Sequence, residues 1–298
     1  MHNPTPLRRF GRCTAVALAG VLSLAGSGCS IGTIVARTTV SVLDGGVDAM
    51  NRETDLELAK SAIPANLKLM EGLIFEDPGN LVLREYTAQA IYGYAFGFVE
   101  DESRQRASAL YERCLAHGLQ GLRVAGLKVD AARASEDELD AALARLGRRA
   151  VPSLFWSASC WAKLIDMNRD DPGRLADIGR AAALMGRVLE LDETFYYGGP
   201  HLFFGVFYGS RPPMLGGDYA KAAQHFAKAE EISGGNLFLV DVLRAQFLDR
   251  QQLDQKSFHD RLTRVIDGSA ADFPEQALVN RISQEKARGL LAHEAEWF

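Results

Sequence analysis

The spacing of small and large residues in the second half of the chain constrains the fold more than any other feature of the sequence. Ala222, Phe226 and Ala229 follow an A-x-x-x-F-x-x-A spacing, which places two small residues and one large residue on one face of a helix. Small residues let a partner helix approach closely, and the phenylalanine fills the space between them. This pattern is typical of the second helix of a tetratricopeptide repeat, and the aromatic segment His201–Gly209 supplies the first helix.

The same spacing recurs along the chain, whereas no segment of useful length alternates apolar and polar residues. We therefore predict an all-α fold, a tetratricopeptide-like α-solenoid of about ten to twelve helices in antiparallel hairpins. Gly118 is predicted to end the helix that begins at Arg104. The last helix carries the polar side chains expected of a terminal cap that faces solvent. These are Gln284, Glu285, Lys286 and Arg288. The spacing recurs in Ala107-Tyr111-Cys114, Ala181-Met185-Val188 and Phe258-Leu262-Val265, and in Asn66-Met70-Leu73 with asparagine in place of alanine.

The N-terminus has the parts of a lipoprotein signal peptide. Arg8, Arg9 and Arg12 form a positive head, and the apolar run Thr14–Gly26 follows it. This run is too short to cross a hydrocarbon core of about 30 Å, which excludes a transmembrane helix here. A small-residue pair and Cys29 close the segment. We predict that residues 1–28 are the signal peptide and that Cys29 carries the lipid.

Two departures from the usual lipoprotein pattern leave an ordinary cleaved leader open as the alternative. Gly26 stands where a leucine is usual, and Leu24 lies two positions early. Ser30 is not the aspartate that retains lipoproteins at the inner membrane, so the predicted location is the periplasm, with anchoring to the outer membrane. Residues 29–52 are predicted to be a lipidated tether with at most a short helix at its end. Residues 53–298 are predicted to be the tetratricopeptide-like helical domain.

Charge and cysteine content narrow the classes of partner. Formal net charge is −5, and the leader carries only positive charge, so the remainder is more acidic still. Because the sequence shows no basic face, nucleic acid is excluded as a partner. Once the leader is removed and Cys29 carries lipid, only Cys114 and Cys160 remain, too few for a disulfide framework. Both are predicted to be buried, unreactive thiols.

No motif for catalysis or cofactor binding is present in the sequence. The histidines are dispersed without metal-ligand spacing, Gly216-Gly217-Asp218 lacks the lysine of a phosphate loop, and no G-x-S-x-G elbow occurs. A dyad of His201 with Asp192 or Glu193 is conceivable, but nothing favours it over a helix-end histidine. We predict no enzymatic activity, no metal and no cofactor.

Aromatic residues are concentrated in the first helices of the hairpins, which line the concave side of a solenoid. The alternative is that they only fill the core between repeats, but second helices rich in alanine leave little room for so many rings. We predict a cavity or pore for a hydrophobic or amphipathic small molecule, with Arg211 meeting a carboxylate. The candidate ligand-binding residues are Tyr94, Phe98, Phe155, Trp156, Phe203, Phe204, Phe207, Tyr208 and Arg211.

The segments between the repeats resemble those of one known family, the T component (TatT) of tetratricopeptide-associated TRAP transporters. That family consists of bacterial periplasmic lipoproteins. The resemblance implies a solenoid with an internal hydrophobic pore, a homotrimer, and binding to a TRAP-type periplasmic solute-binding protein that receives the ligand. It covers nearly the whole chain after the leader. It rests on Gly199–Phe204, Ser210-Arg211-Pro212, Gly216-Gly217-Asp218, Val151–Trp156, Tyr92–Phe96 and the closing segment Leu290–Phe298.

Two other functions compete with this one at the level of sequence. A generic tetratricopeptide scaffold lipoprotein would hold other envelope proteins through a polar groove, with the aromatic residues purely structural. The sparse polar content of the concave helices argues mildly against it. An envelope hydrolase would need a pair of titrating residues in a cleft.

Overall fold

The computed structural model of the protein describes residues 31–298, and these residues form helices and no β-strand. This confirms the predicted all-α solenoid of helical hairpins. The helices in the first half are α1 (Ile31–Asn51), α2 (Leu56–Glu76), α3 (Leu81–Phe98), α4 (Arg104–Ala125), α5 (Glu136–Leu143) and α6 (Val151–Met167). Those in the second half are α7 (Pro172–Leu175), α8 (Ile178–Leu191), α9 (Phe195–Gly209), α10 (Tyr219–Ser233), α11 (Phe238–Arg244), α12 (Gln255–Asp267), α13 (Ala277–Ala292) and α14 (Glu294–Trp297).

The repeat spacing correctly predicts the buried face of four helices and fails at one position of a fifth, where Met70 and Leu73 are buried but Asn66 is not. In α4, α8, α10 and α12 all three residues of the spacing are fully buried, and each of these helices packs against the first helix of its hairpin. In α2, by contrast, Asn66 is exposed. The buried stripe there runs through Ile63, Leu67 and Met70, because these larger apolar side chains at helical spacing turn the helix so that the asparagine faces solvent.

Helices α4 and α6 approach each other closely. Two predictions about residues in this contact are wrong. Gly118 does not end α4; it lies buried against Ser157 of α6, and the helix continues to Gly126, which adopts a left-handed conformation with φ of 119°. Cys114 and Cys160 are not thiols but form a disulfide, with Cα atoms 5.8 Å apart. Sequence spacing could not predict this pairing, because only the packing of neighbouring repeats brings the two positions face to face.

The segment predicted to be an irregular tether is helical. α1 is 21 residues long and runs antiparallel to α2, with Ala36 fully buried. Its inner side packs against Leu73, Ile74 and Leu83. This burial explains why a segment with a Gly-Gly pair and a weak apolar pattern is helical here: tertiary contacts outweigh low propensity.

The last long helix, α13, packs against the first helices of the array and does not form a terminal cap that faces solvent. α13 contacts α1 and α2, and Ile282 lies so close to α3 that a methyl group at Gly97 would be 2.6 Å from its Cδ1 atom. Of the residues predicted to face solvent, Glu285 and Arg288 do so. Gln284 and Lys286 are largely enclosed: Gln284 donates to the carbonyl of Gly268, and Lys286 binds Glu100. The prediction of a polar terminal cap is therefore wrong for these two residues, because the last helix meets the first hairpins.

The start of α9 contains a left-handed turn that the sequence does not reveal. Tyr196 and Tyr197 have φ values of 48° and 58°, and Gly198 follows at 85°. Left-handed conformations cost energy in residues other than glycine and persist only where the surroundings enforce them. Here the turn swings the ring of Tyr196 against α6.

We expect Gly199→Ala to lower the free energy of unfolding by about 1–3 kcal/mol, because overpacking forces neighbours out of place. The added methyl group would lie 2.6 Å from Cε2 of the Phe155 ring. The matched control is Gly186→Ala in α8, where nothing lies within 4 Å of the new methyl group. That change should raise stability by up to about 1 kcal/mol through helix propensity. Urea unfolding measures both, and equal effects of the two substitutions would contradict the packing argument.

Candidate ligand-binding interior

An aromatic cluster joins the first helices of three hairpins. The ring of Tyr92 in α3 lies 5.5 Å from that of Trp156 in α6, and Trp156 lies 5.2 Å from the ring of Tyr196 in α9. Phe155 makes an edge contact with Trp156 at 4.9 Å and also reaches Tyr196 at 5.7 Å. Edge-to-face contacts of this kind are the favoured arrangement of aromatic side chains. The cluster forms a continuous wall of rings across α3, α6 and α9, which we call the aromatic wall.

Two rings of the cluster are nearly buried, and two others keep part of their surface accessible. Trp156 and Phe155 are only 4% and 6% exposed. Tyr92 and Tyr196 keep an intermediate fraction of accessible surface although protein surrounds them. Burial raises the pKa of Tyr92 to about 12, and it also raises the pKa of Tyr196. Both phenols are therefore neutral at physiological pH, so the wall offers ring faces and uncharged hydroxyl groups.

A second aromatic stripe runs along α9 and ends at a cation. Phe203 and Phe207 stack with ring centres 6.2 Å apart, and the guanidinium carbon of Arg211 lies 4.1 Å from the centre of the Phe207 ring. These residues are spaced by four and therefore share one face of the helix. Phe204 and Tyr208 form a parallel row beside them, 6.1 Å apart. An elongated apolar molecule would find a flat surface here with a positive charge at its end.

Arg211 is held in place by the backbone. Its Nε and Nη2 atoms donate to the carbonyl oxygen of Phe207 at 3.2 and 2.9 Å. Burial lowers the pKa of this guanidinium, which nevertheless stays charged at neutral pH. No carboxylate of residues 31–298 lies within ion-pair distance of it. Arg211 is thus a half-buried cation whose charge the described protein does not neutralise.

A cluster of charged groups borders the aromatic wall where α3 ends. The carboxylate of Glu100 binds the ammonium groups of Lys163 at 2.8 Å and Lys286 at 2.9 Å, and the Tyr111 hydroxyl donates to it at 2.6 Å. Burial opposes the ionisation of Glu100, but the two lysines outweigh it and hold its pKa below the ordinary value. Lys286 also lies 4.3 Å from the centre of the Phe96 ring. The cluster ties α3, α4, α6 and α13 together.

Two histidines form a hydrogen-bonded row beside the stripe. His201 Nδ1 lies 3.0 Å from Nδ1 of His225, and its Nε2 lies 3.2 Å from Glu193. Burial and the neighbouring His201 lower the pKa of His225. His225 and Glu193 contact the two different ring nitrogens of His201, so the three side chains do not surround a common point. Across residues 31–298, no three His, Cys, Asp or Glu side chains are arranged to hold a metal ion.

The structure divides the predicted ligand residues into three groups. Phe155 and Trp156 join the aromatic wall, while Phe203, Phe204, Phe207, Tyr208 and Arg211 form the stripe on α9. Tyr94 and Phe98 lie apart: they pack on each other at 6.0 Å, and Arg106 donates to the Tyr94 hydroxyl at 3.3 Å.

Residues outside the candidate set also have ring contacts in the wall. They include Tyr92, Phe96, Phe195 and Tyr196. Tyr92 and Phe96 share one face of α3, and Tyr94 and Phe98 share the opposite face, because residues two apart in a helix differ by about half a turn. That signal was available in the sequence. The orientation of Tyr196 was not, because it depends on the left-handed turn.

A shallow cleft of about 610 Å³ lies elsewhere, between α12 and the C-terminal helices. Its lining includes Lys256, His259, Asp260 and Glu294, and none of the predicted ligand residues. Among the helices from residue 31 onward, none combines the length and the apolar character that a membrane crossing needs.

Comparison with known proteins identifies the family. The sequence profile of the family described as TRAP transporter T-component matches residues 52–298. An uncharacterized protein of Treponema pallidum (strain Nichols) is 23% identical over 262 residues, which cover 83% of this chain and 81% of that protein. The matched range includes the aromatic wall, the stripe on α9 and the closing helix α13. The chain therefore belongs to the TRAP transporter T-component family.

Proposed function

We propose that the protein is a lipid-anchored periplasmic subunit that binds a hydrophobic or amphipathic small molecule and passes it to a TRAP-type solute-binding protein. The partly accessible aromatic surface carries this proposal. Rings from α3, α6 and α9 converge in one cluster, and Leu278 and Ile282 of α13 belong to the same buried core. A site dominated by ring faces with few polar groups favours apolar ligands. Assembly as a homotrimer belongs to the same proposal.

The charges beside the aromatic surface favour an amphipathic ligand with an acidic group. Arg211 ends the stripe on α9 without a carboxylate partner in the described protein. A guanidinium suits a carboxylate because it can donate two parallel hydrogen bonds. The apolar part of the ligand would lie along Phe203 and Phe207, with its acid at Arg211.

The N-terminal residues and the disulfide support the proposed cellular location. Cys29 lies outside the described residues, and its lipidation stays a prediction from the sequence. The disulfide between Cys114 and Cys160 supports an oxidising compartment such as the periplasm. A lipid on Cys29 would hold the folded body at the periplasmic face of the outer membrane.

Native mass spectrometry of protein purified from a bacterial periplasm, followed by organic extraction, tests the proposal. We expect an apolar molecule at near-integral stoichiometry, and we expect the double variant Phe203→Ala, Phe207→Ala to retain about tenfold less of it. The matched control is Phe75→Ala, because that ring is 84% exposed and lies outside the interior. A ligand-free wild type, or equal retention by all three proteins, would contradict ligand handling and favour the scaffold function.

The choice of residues matters, because a charge at Trp156 or Phe204 would not give a clean test. These side chains are 4% and 9% exposed, so a buried charge there would unfold the protein whether or not it binds a ligand. Phe203 and Phe207 are half-buried and tolerate truncation better.

A further inference from the structure

Large apolar side chains are exposed where α1 begins and α2 ends. Phe75 is 84% exposed and Ile31 is 81% exposed, and Ile34 and Val35 are also exposed on the outer side of α1. The two helix ends are held together by Arg37, whose Nε atom lies 3.1 Å from Asp77 Oδ2. We call Ile31, Ile34, Val35 and Phe75 the apolar patch. Single exposed apolar residues need no explanation, but a group of this size marks an interaction site.

Several other helices also begin or end at this edge of the array. α3 begins directly after the turn that follows Phe75. Its first residue, Leu81, faces Gly121 near the end of α4, and Glu85 accepts a hydrogen bond of 2.7 Å from Ser153 in the first turn of α6. The end of α2, the starts of α3 and α6 and the end of α4 therefore lie along one edge. The residues just before α6 therefore lie along the same edge as the apolar patch.

Three exposed arginines precede α6. Arg145, Arg148 and Arg149 lie between α5 and α6, and no acidic residue interrupts them. None has a carboxylate within ion-pair distance anywhere in the described range 31–298. We call them the arginine group. Arg149 lies near enough to Glu85 to favour ionisation of that carboxylate, and Arg145 and Arg148 have no ion-pair partner in the described range. In a chain whose formal charge is −5, this local positive charge fits a negatively charged surface.

The predicted lipid attachment point, Cys29, comes two positions before Ile31 in the sequence. Only Ser30 separates Cys29 from Ile31, so two steps of about 3.8 Å each limit the distance between their Cα atoms. Acyl chains on Cys29 would enter the bilayer beside Ile31. The apolar patch would then be held at the level of the lipid headgroups.

We propose that this edge lies flat on an anionic lipid surface, with the apolar patch inserted at the headgroup level and the arginine group bound to lipid phosphates. Apolar side chains flanked by arginines are the usual composition of surfaces that lie in a membrane interface. The lipid on Cys29 supplies the anchor, and this second contact sets the orientation. The inference rests on the lipid attachment in the proposed function. The opposite helix ends, including the loop after α9, then point away from the membrane.

A fluorescent probe at position 75 tests the orientation in the full chain, expressed so that the leader is processed. Phe75→Cys is labelled with an environment-sensitive dye and bound to vesicles that contain phosphatidylglycerol. We expect a blue shift and quenching by a lipid-borne quencher. The matched control is Met214→Cys, which is 87% exposed in the loop between α9 and α10, at the other end of the helices. It should show neither effect.

The arginine group is tested with the same probe. Neutralising it with Arg145→Gln, Arg148→Gln and Arg149→Gln should reduce the spectral shift at position 75 about twofold or more, as should high salt. The control neutralises three exposed cations elsewhere, with Arg169→Gln, Lys256→Gln and Arg288→Gln, and should leave the shift unchanged.

Flotation of the vesicles distinguishes failure of the lipid anchor from failure of the proposed orientation. Protein that floats without a shift at position 75, or with equal shifts at positions 75 and 214, keeps its anchor but overturns the orientation. Protein that does not float overturns both. A shift at position 75 that survives loss of the arginine group and high salt overturns the role of anionic lipid and leaves insertion of the apolar patch as the sole contact.

Discussion

Replacing Glu100 with alanine is expected to lower the free energy of unfolding by about 3 kcal/mol, because removing one partner of a buried ion pair leaves charge poorly compensated. The Glu100 side chain is 7% exposed and is shared by Lys163 and Lys286. Without it, Lys163 keeps only Asp166 as an ion-pair partner and Lys286 keeps only the exposed Asp101, which places the loss at the lower end of what breaking a buried ion pair costs. Since the cluster also ties α13 to α3, the closing helix should loosen first. Urea unfolding followed by circular dichroism measures the loss.

Glu102→Ala is the matched control, because Glu102 lies two residues away but is exposed in its pair with Lys60. Exposed pairs contribute little to stability, so this change should be nearly neutral. If the two alanine variants had the same stability, the buried cluster would not be a strong determinant of the fold.

The Glu100 carboxylate should also make the free energy of unfolding depend on pH, in a direction that its pKa predicts. The pKa of Glu100 is held below its ordinary value of 4.5. Its contribution to stability is therefore complete above that value and is lost as the pH falls through the lower pKa of the folded state. The wild type should lose stability on acidification more steeply than Glu100→Gln. Parallel pH profiles of the two proteins would contradict this assignment.

Removing the disulfide with Cys114→Ala and Cys160→Ala is expected to cost about 4 kcal/mol of unfolding free energy, through the larger entropy of the unfolded chain. The bond spans a sequence separation of 46 residues and joins α4 to α6, the helix that supplies Trp156. Its loss should lower the melting temperature and loosen the aromatic wall together.

Reductant separates the disulfide from the effect of the substitutions. Dithiothreitol should lower the melting temperature of the wild type and leave that of the double variant unchanged. Thiol trapping with mass spectrometry should find two new reactive thiols in the wild type only after reduction and unfolding. Two free thiols before reduction would contradict the bond.

The predictions from sequence succeeded where a single helix face decides the outcome. The triads in α4, α8, α10 and α12 are buried as the spacing predicts, because a small-large-small pattern at helical period specifies one face without reference to distant residues. Asn66 is an exception to the spacing, because larger apolar side chains nearby determine which side of α2 is buried. The candidate ligand residues stay a prediction. In α3 the ring contacts of the aromatic wall come from Tyr92 and Phe96, whereas the candidates Tyr94 and Phe98 pack on each other.

The sequence by itself determined the fold class, the hairpin order and the family, since these depend on local periodicity and on the order of distinctive linkers. Only the tertiary structure decided the pairing of Cys114 with Cys160, the return of α13 to the first hairpins and the burial of Lys286 against Glu100. Each of these joins residues far apart in the chain. Helical periodicity shows which side of a helix is buried, but it carries no information about which distant surface buries it.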